Sequence, residues 1–467
     1  DLAYFDHPPL LGWLEWLGMQ LVGPGTWLGP RLGFVVLSAG STWLLAKLTT
    51  RLHGQWAGLW AAVCLNAVPY YGLAAGTFAL PDGPLLFFWL LTLDRLLIAC
   101  ASDRTLPWVA VGLAWGGACL SKYHALLLPV ITLAAFVRHA PWRTRLKTMG
   151  PYLALALGLF VFSPVLIWNS QHDWVSFRFQ GGRALGLTWP RPDYFLRGVG
   201  GMALYLTPWL GALLAITLVR ARREWRSASG EDRLLLIAAS VPLGLVAVVS
   251  LFREVLPHWS LIGCVGLLPA LGRRRGLELA ADRVAMARRG ALILSAPLLL
   301  GLLLIGQYHF GWFQKGAPGR LGFLSPPADP TVESYGWEQV AERLARHGLD
   351  ERPGTFVFTG NWYHGGQLAR VLRDRATVYC YHRGDARGFA YWTRPEPCVG
   401  QDGLLVTVGD NIVEPWCFDR WFQELVPVDT FWVERAGGKL LPVRITRCVG
   451  QKRPFPFAGP ERVAARD

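Results

Sequence analysis

Two acidic motifs of the sequence carry residue types suited to group transfer. Asp6 and His7 stand directly before Pro8 and Pro9, and the prolines hold His7 extended where the next helix begins. A helix N-terminus is suited to phosphate, so this pair is a candidate for phosphate binding and acid–base work. Asp82 follows Pro81 at the start of another apolar run, and it is a candidate catalytic carboxylate. The alternative is that both acids only cap their helices.

Cations and aromatic rings gather in later motifs. Lys122, beside Tyr123, interrupts the long apolar stretch Leu106–Val137, where an ammonium would meet a lipid phosphate unless it snorkels to the surface. A loop over residues 168–183 mixes aromatic rings, amides and guanidinium groups, as expected where a sugar stacks and a phosphate is held. The candidate donor-binding residues are Lys122, Tyr123, Trp168, Asn169, Arg178, Gln180, Arg183 and, at another apolar run, His258.

The composition places these motifs in a membrane protein. Of the 467 residues, 52% are hydrophobic and 17% are charged, and the mean hydropathy is +0.29. Soluble domains carry about 25% charge. The net charge of +14 is divided among short clusters between apolar runs, with no nucleic-acid-binding motif. We therefore expect a polytopic membrane protein without a nucleic-acid partner.

The apolar runs predict about ten membrane spans, because roughly 20 residues of helix cross the hydrocarbon core. With that count, all basic clusters lie on one side, which the positive-inside rule makes cytoplasmic. The candidate functional residues then lie on the opposite, extracytoplasmic side. The runs are Arg31–Thr49, Trp56–Ala75, Leu85–Cys100, Leu106–Val137 (two short spans), Met149–Trp168, Gly198–Val219, Leu234–Leu251, Leu256–Leu271 and Ala291–Gly306.

These elements predict three regions. Residues 1–29 form an extracytoplasmic loop with an interfacial helix, 30–308 a transmembrane domain with a functional outer loop at 169–197, and 309–467 an extracytoplasmic α/β domain. An even number of cysteines in an oxidising compartment favours two disulfides, and free thiols are the alternative. The three possible pairings involve Cys380, Cys398, Cys417 and Cys448.

Several motifs together resemble one family. Tyr-Phe-Asp-His-Pro-Pro-Leu at 4–10, Pro-Asp-Gly-Pro-Leu-Leu-Phe-Phe-Trp at 81–89, Leu-Ser-Lys-Tyr at 120–123 and the Trp-Asn loop from 168 occur in this order. They resemble the bacterial membrane glycosyltransferases related to dolichyl-phosphate-mannose protein mannosyltransferases and to the aminoarabinose transferase of lipid A. The resemblance implies a mostly α, polytopic fold of the GT-C type, with the C-terminal α/β domain outside the membrane.

The same resemblance implies an activity and roles. Enzymes of the family take a sugar from a polyprenyl phosphate at the outer face of the bacterial inner membrane, with inversion. Asp6 and His7 match the family's acidic–basic pair near the donor phosphate, Asp82 matches its later acid, and Lys122 and Arg183 fall where cations hold the phosphate. The family's expected general base follows a first span that this chain lacks, so we expect that base upstream of residue 1.

The resulting hypothesis is an inverting glycosyltransferase acting on an extracytoplasmic lipid, glycan or protein, with Asp6, His7 and Asp82 as catalytic residues. A transporter or flippase of a lipid-linked sugar and a non-enzymatic envelope scaffold are the alternatives. No cofactor is certain. A divalent metal held by the acidic motifs is possible, although their spacing is not a diagnostic ligand set.

Overall fold

The computed structural model describes residues 5–185, 189–280, 282–349, 354–409 and 415–457. The chain divides into two compact units, Asp1–Leu299 and Leu300–Asp467. Helices dominate the first unit and a five-stranded sheet lies in the second. The predicted fold class, mostly α with a C-terminal α/β part, is confirmed.

The first unit is a set of apolar helices joined by short turns. The π-helical turn Tyr70–Ala74 separates α3 from α4. The helices are α1 (Leu10–Val22), α2 (Leu32–His53), α3 (Gln55–Ala67), α4 (Ala75–Thr77), α5 (Asp82–Cys100), α6 (Leu106–Ser121), α7 (Leu127–Arg138), α8 (Ala140–Arg143), α9 (Gly150–Gln171), α10 (Val175–Leu185), α11 (Pro192–Leu206), α12 (Pro208–Arg223), α13 (Gly230–Ser250), α14 (Leu261–Val265), α15 (Leu268–Ala280) and α16 (Arg283–Phe310).

Prolines break two runs that the sequence predicted as continuous spans. Val68, before Pro69, is extended at ψ 112°, and the helical axis turns by 81° there. Thr207, before Pro208, has φ 66° and ψ 139°, and α11 meets α12 at 109°. The residue before a proline is pushed out of the α region. The runs Trp56–Ala75 and Gly198–Val219 are therefore bent pairs of helices, and their assignment as single spans stays a prediction.

Five helices of the described chain are long and apolar enough to cross a membrane, and the number is eight if each of three bent pairs is one span. The two other predicted crossings are short in the structure. One contains α6, with 16 residues. The other, Leu256–Leu271, consists of the 3-10 turn Pro257–Ser260, α14 and the start of α15. The count of ten spans stays a prediction.

The basic clusters contact acidic residues from neighbouring helices at one end of the first unit. Asp94, in the C-terminal half of α5, is fully buried and pairs with Arg51 at 2.7 Å. The other pairs that join these clusters are His53–Asp232 at 3.1 Å, Arg145–Asp103 at 2.7 Å and Arg274–Glu224 at 2.7 Å. Asp82 is thus the first residue of α5, and the last turn of the same helix lies near the basic end of the unit.

The second unit contains a sheet with strand order β2-β1-β3-β5-β4. The first three strands are parallel, and β5 joins β3 and β4 antiparallel. The helices α17 (Trp337–Arg346) and α18 (Trp362–Leu372) contribute to its larger core. The strands are β1 (Phe356–Thr359), β2 (Val378–Cys380), β3 (Gly403–Val408), β4 (Phe422–Arg435) and β5 (Gly438–Gln451), and the short helix α19 (Phe389–Trp392) follows β2.

The two predicted disulfides are absent from the described chain, where all eight cysteines are free thiols. Cys380 lies in a small cluster with Ala386 and Phe389, whereas Cys398 and Cys448 lie in a separate aromatic cluster. Cys417 is exposed. The prediction of two disulfides was wrong for this structure, because Cys380 and the exposed Cys417 lie outside the cluster that Cys398 and Cys448 share.

Candidate active site

A buried ion pair lies at the centre of the candidate site. The Lys122 ammonium donates to both oxygens of Asp82, at 2.9 and 2.8 Å. Lys122 and Asp82 are only 5% and 6% exposed. Asp82 is the first residue of α5, and Lys122 is the extended residue at which α6 ends. The motifs predicted to hold the two residues in outer-facing loops therefore meet within the protein.

Aromatic and imidazole rings surround this pair. Tyr70, in the π-helical turn after Pro69, is buried and close enough to interact electrostatically with Asp82. The Tyr70 ring stacks on His258, with centroids 5.4 Å apart and planes 14° apart, and it also contacts Tyr205 at 5.4 Å. His124 packs edge-on against Trp259 at 6.0 Å. His124 and His258 are both close enough to interact electrostatically with Asp82.

The N-terminal motif joins the same region through α10. The Gln180 amide donates to the backbone carbonyl of Asp6 at 2.6 Å, and Phe5 packs on Phe179 at 5.0 Å. His7 interacts electrostatically with His124, and Asp6 with Tyr123. Residues separated by more than 100 positions in the sequence thus contribute to one cluster.

Asn169 organises the loop between α9 and α10. Its amide donates to the Val165 carbonyl at 3.0 Å, and its side-chain oxygen accepts from the backbone N–H of Ser176 at 3.1 Å. Because both the N–H and the oxygen of this fully buried amide form hydrogen bonds, Asn169 holds the start of α10 against the end of α9. The turn beside it is strained, since Asp173 and Trp174 have φ of 52° and 57°.

The remaining predicted donor-binding residues have different surroundings. Trp168 stacks on His172 at 4.1 Å, with planes 11° apart. Arg178 is exposed on α10 and forms no ion pair within the described part of the chain. Arg183 belongs to α10, but its side chain lies outside the described residues. The structure therefore brings together Asp6, His7, Asp82, Lys122, Tyr123, Gln180 and His258, and leaves Arg178 at the surface.

The tyrosines around the ion pair lie in no motif that the sequence marks as functional. Tyr70, Tyr71 and Tyr205 are in or beside apolar runs, where a tyrosine resembles an ordinary interfacial residue. The available signal was Pro69, which predicts a break in the helix just before Tyr70 and Tyr71. Within the described residues, no three His, Cys, Asp or Glu side chains form a group suited to a metal ion. The possible divalent metal therefore has no matching ligand set here.

The arrangement can bind and stabilise an anion. A lysine ammonium has three N–H donors, and two of them point to Asp82. Among the described residues the third has no acceptor, so it remains for a ligand. Desolvated charges interact more strongly than exposed ones, so a phosphate at this place would gain more from Lys122 than from a surface lysine.

The N-terminal part of the chain matches a known family. Residues 6–168 match the family model of dolichyl-phosphate-mannose-protein mannosyltransferase. The chain is 28% identical over 234 residues to undecaprenyl phosphate-alpha-4-amino-4-deoxy-L-arabinose arabinosyl transferase 2 of Proteus mirabilis, covering 46% of this chain and 40% of that protein. It is 27% identical over 174 residues to lipid A galacturonosyltransferase RgtD of Rhizobium johnstonii, covering 37% and 36%. The alignments thus span less than half of either relative.

Solved structures share the fold over most of the chain. ArnT from Cupriavidus metallidurans bound to undecaprenyl phosphate has a TM-score of 0.60 and 18% identity, with 95% of this chain and 88% of that chain covered. AglB from Archaeoglobus fulgidus, in complex with an inhibitory peptide and a dolichol-phosphate, has a TM-score of 0.50 and 12% identity, with 86% and 62% covered. These similarities establish the fold.

Proposed function

We propose that this chain, a member of the polyprenyl-phosphate-sugar-dependent membrane glycosyltransferases of the GT-C fold, transfers a sugar from a polyprenyl phosphate to an extracytoplasmic acceptor. The acceptor is a lipid, a glycan or a protein. The proposal rests on the motif match over residues 6–168 and on the fold shared with ArnT. The names of both curated relatives describe glycosyl transfer, one of them from an undecaprenyl phosphate donor.

The observation that carries the chemistry is the buried pair of Asp82 and Lys122 among three histidines. In the proposed reaction, the acceptor hydroxyl or amine attacks the anomeric carbon while the bond from that carbon to the phosphate oxygen breaks. The configuration inverts, polyprenyl phosphate leaves, and a carboxylate takes the acceptor proton. Lys122 and His7 stabilise the negative charge that grows on the leaving phosphate.

The geometry suggests a specific role for Asp82. Both of its oxygens accept from Lys122, so the carboxylate is engaged before any substrate arrives. We infer that Asp82 orients the lysine, whose third N–H then points to the donor phosphate. Tyr70 and His258 support the pair from the side of the π-helical turn.

The site is proposed to face the outside of the bacterial inner membrane. The ion pairs among the basic clusters lie at the opposite end of α5 from Asp82. Because basic clusters mark the cytoplasmic side, the candidate site then opens to the periplasmic side. This placement also exposes it to membrane lipids of the outer leaflet.

The test uses membranes that contain the full-length protein and polyprenyl-phosphate sugars labelled in the sugar. A transferase moves the label to a new product, a flippase only changes its leaflet, and a scaffold does neither. Lys122→Met should lower transfer on the order of 10²–10³-fold. Asp94→Asn is the matched control, since it removes another buried carboxylate of α5 away from the site. Failure of label transfer from several pentose and hexose donors would contradict the proposal.

A further inference from the structure

A cleft apart from the candidate active site lies in the first unit, among α3, α12, α15 and α16. Its volume is about 570 Å³, within the range of about 300–1,000 Å³ typical of ligand sites. Its walls are mainly apolar, and none of its lining residues belongs to the candidate active site. Four residues of α16, at spacings of three and four, form one wall: Arg289, Leu292, Ile293 and Ala296.

Two arginines line one part of this cleft. Arg275 comes from α15 and Arg289 from α16, and each has an apolar lining residue one turn away on its own helix, Leu271 before Arg275 and Leu292 after Arg289. Arg275 contacts Glu278 at 2.6 Å, whereas Arg289 is exposed and forms no ion pair with any described residue. The neighbouring Arg274 pairs with Glu224 in the basic end of the unit. The positive part of the cleft therefore lies at the level of the membrane surface on the basic side.

A buried hydrogen-bond donor also belongs to the cleft. Trp60 lines it and is 3% exposed. Its indole nitrogen is buried and has no hydrogen-bond partner within the described chain. A buried donor without a partner costs about 1–3 kcal/mol. An oxygen atom of a ligand in the cleft would satisfy it.

We propose that this cleft binds an anionic glycerophospholipid from the leaflet at the basic end of the protein. The phosphodiester lies between Arg275 and Arg289, an oxygen of the ester region accepts from Trp60, and one acyl chain lies along Leu292 and Ala296. The two arginines match the phosphate of such a lipid, the buried Trp60 donor matches its ester region, and the apolar wall matches its acyl chain. This site is separate from the proposed donor site and does not depend on the transferase reaction.

The test measures lipid binding to the purified full-length protein. The protein is delipidated in neutral detergent, phosphatidylglycerol or phosphatidylcholine is titrated, and bound lipid is counted by native mass spectrometry. We expect one phosphatidylglycerol to bind at least about tenfold more tightly than phosphatidylcholine, as a charge-assisted contact implies. Arg289→Gln should remove most of this preference, whereas Arg288→Gln, its neighbour outside the cleft lining, should keep it.

Two more variants separate the parts of the site. Trp60→Phe keeps the ring but removes the donor, and it should weaken binding about threefold to tenfold. Ala296→Phe should displace the lipid by filling the apolar wall, and its thermal unfolding shows whether it is folded. Equal binding of both lipids, equal effects of the Arg288 and Arg289 variants, or tighter binding of polyprenyl phosphate would overturn the proposal. Competition by glycerol 3-phosphate would also do so, because that probe lacks the acyl chain.

Discussion

Removal of either Asp82 or Lys122 should lower both the stability of the protein and its rate of sugar transfer, and the two losses can be measured separately. The two residues are almost fully buried and are joined by two hydrogen bonds. Loss of one partner leaves an uncompensated buried charge, which costs about 3–5 kcal/mol. The single variants Asp82→Asn and Lys122→Met should therefore unfold at lower temperature than the parent protein.

The double variant separates the two effects. Asp82→Asn with Lys122→Met removes both charges, so it should be more stable than either single variant, and the double-mutant cycle should give a favourable coupling energy. Catalysis should not recover, because the ammonium that faces the donor phosphate is still absent. Loss of one preorganised electrostatic contact lowers turnover on the order of 10²–10³-fold.

The assay combines two measurements. One is the unfolding temperature, which size-exclusion chromatography monitors, and the other is label transfer per folded molecule. Asp94→Asn serves as the control, since it removes the carboxylate that pairs with Arg51 at 2.7 Å. It should lose stability and keep its turnover per folded molecule. If the double variant regains both stability and turnover, the pair is structural only and the assigned role of Lys122 is refuted.

Three further predictions concern other parts of the chain. An impermeant maleimide applied to intact spheroplasts should label Cys417, the exposed cysteine, and Cys417→Ser should remove the signal; labelling only after lysis would contradict a periplasmic second unit. Burial tends to raise the pKa of Asp329, but hydrogen bonds from Thr331, Gln307 and Arg435 outweigh it, and the net pKa is lowered from 3.8. The charged Asp329 carboxylate therefore stabilises the folded protein above about pH 4, and this stabilisation is lost as the pH falls through the folded-state pKa. The melting temperatures of the parent and Asp329→Asn should differ most near pH 7 and converge in acid. A difference that does not change with pH would contradict this prediction. Gln180→Ala should raise the KM for the donor more than it lowers kcat, because it frees the Asp6 backbone; a pure loss of folded protein would assign Gln180 a structural role.

The second unit also has a buried charge network of its own. Arg435 is 1% exposed, and it donates to Gln314 and Thr331 at 2.8 Å each and to Asp329. Asp329 in turn accepts from Gln307, near the end of α16. Every polar group of this network has a partner, which is the condition under which buried charges are tolerated.

Composition and short motifs are enough to predict a membrane protein and to mark several polar residues of the candidate site. Long apolar runs require a membrane, because few charges interrupt them, and short proline-bounded motifs marked Asp6, His7, Asp82 and Lys122. These signals are local. They depend on composition and on backbone rules that act over a few residues, and the fold class derived from them is confirmed by the shared fold.

Which of these residues meet depends on the tertiary structure. Asp82 and Lys122 are 40 positions apart, and their contact depends on how α5 and α6 pack. The involvement of Tyr70 depends on a turn of 81° after α3, and the free thiols depend on which core cluster, if any, each cysteine packs into. Contacts between distant residues arise from the packing of whole elements, and hydropathy and local propensity do not contain that information.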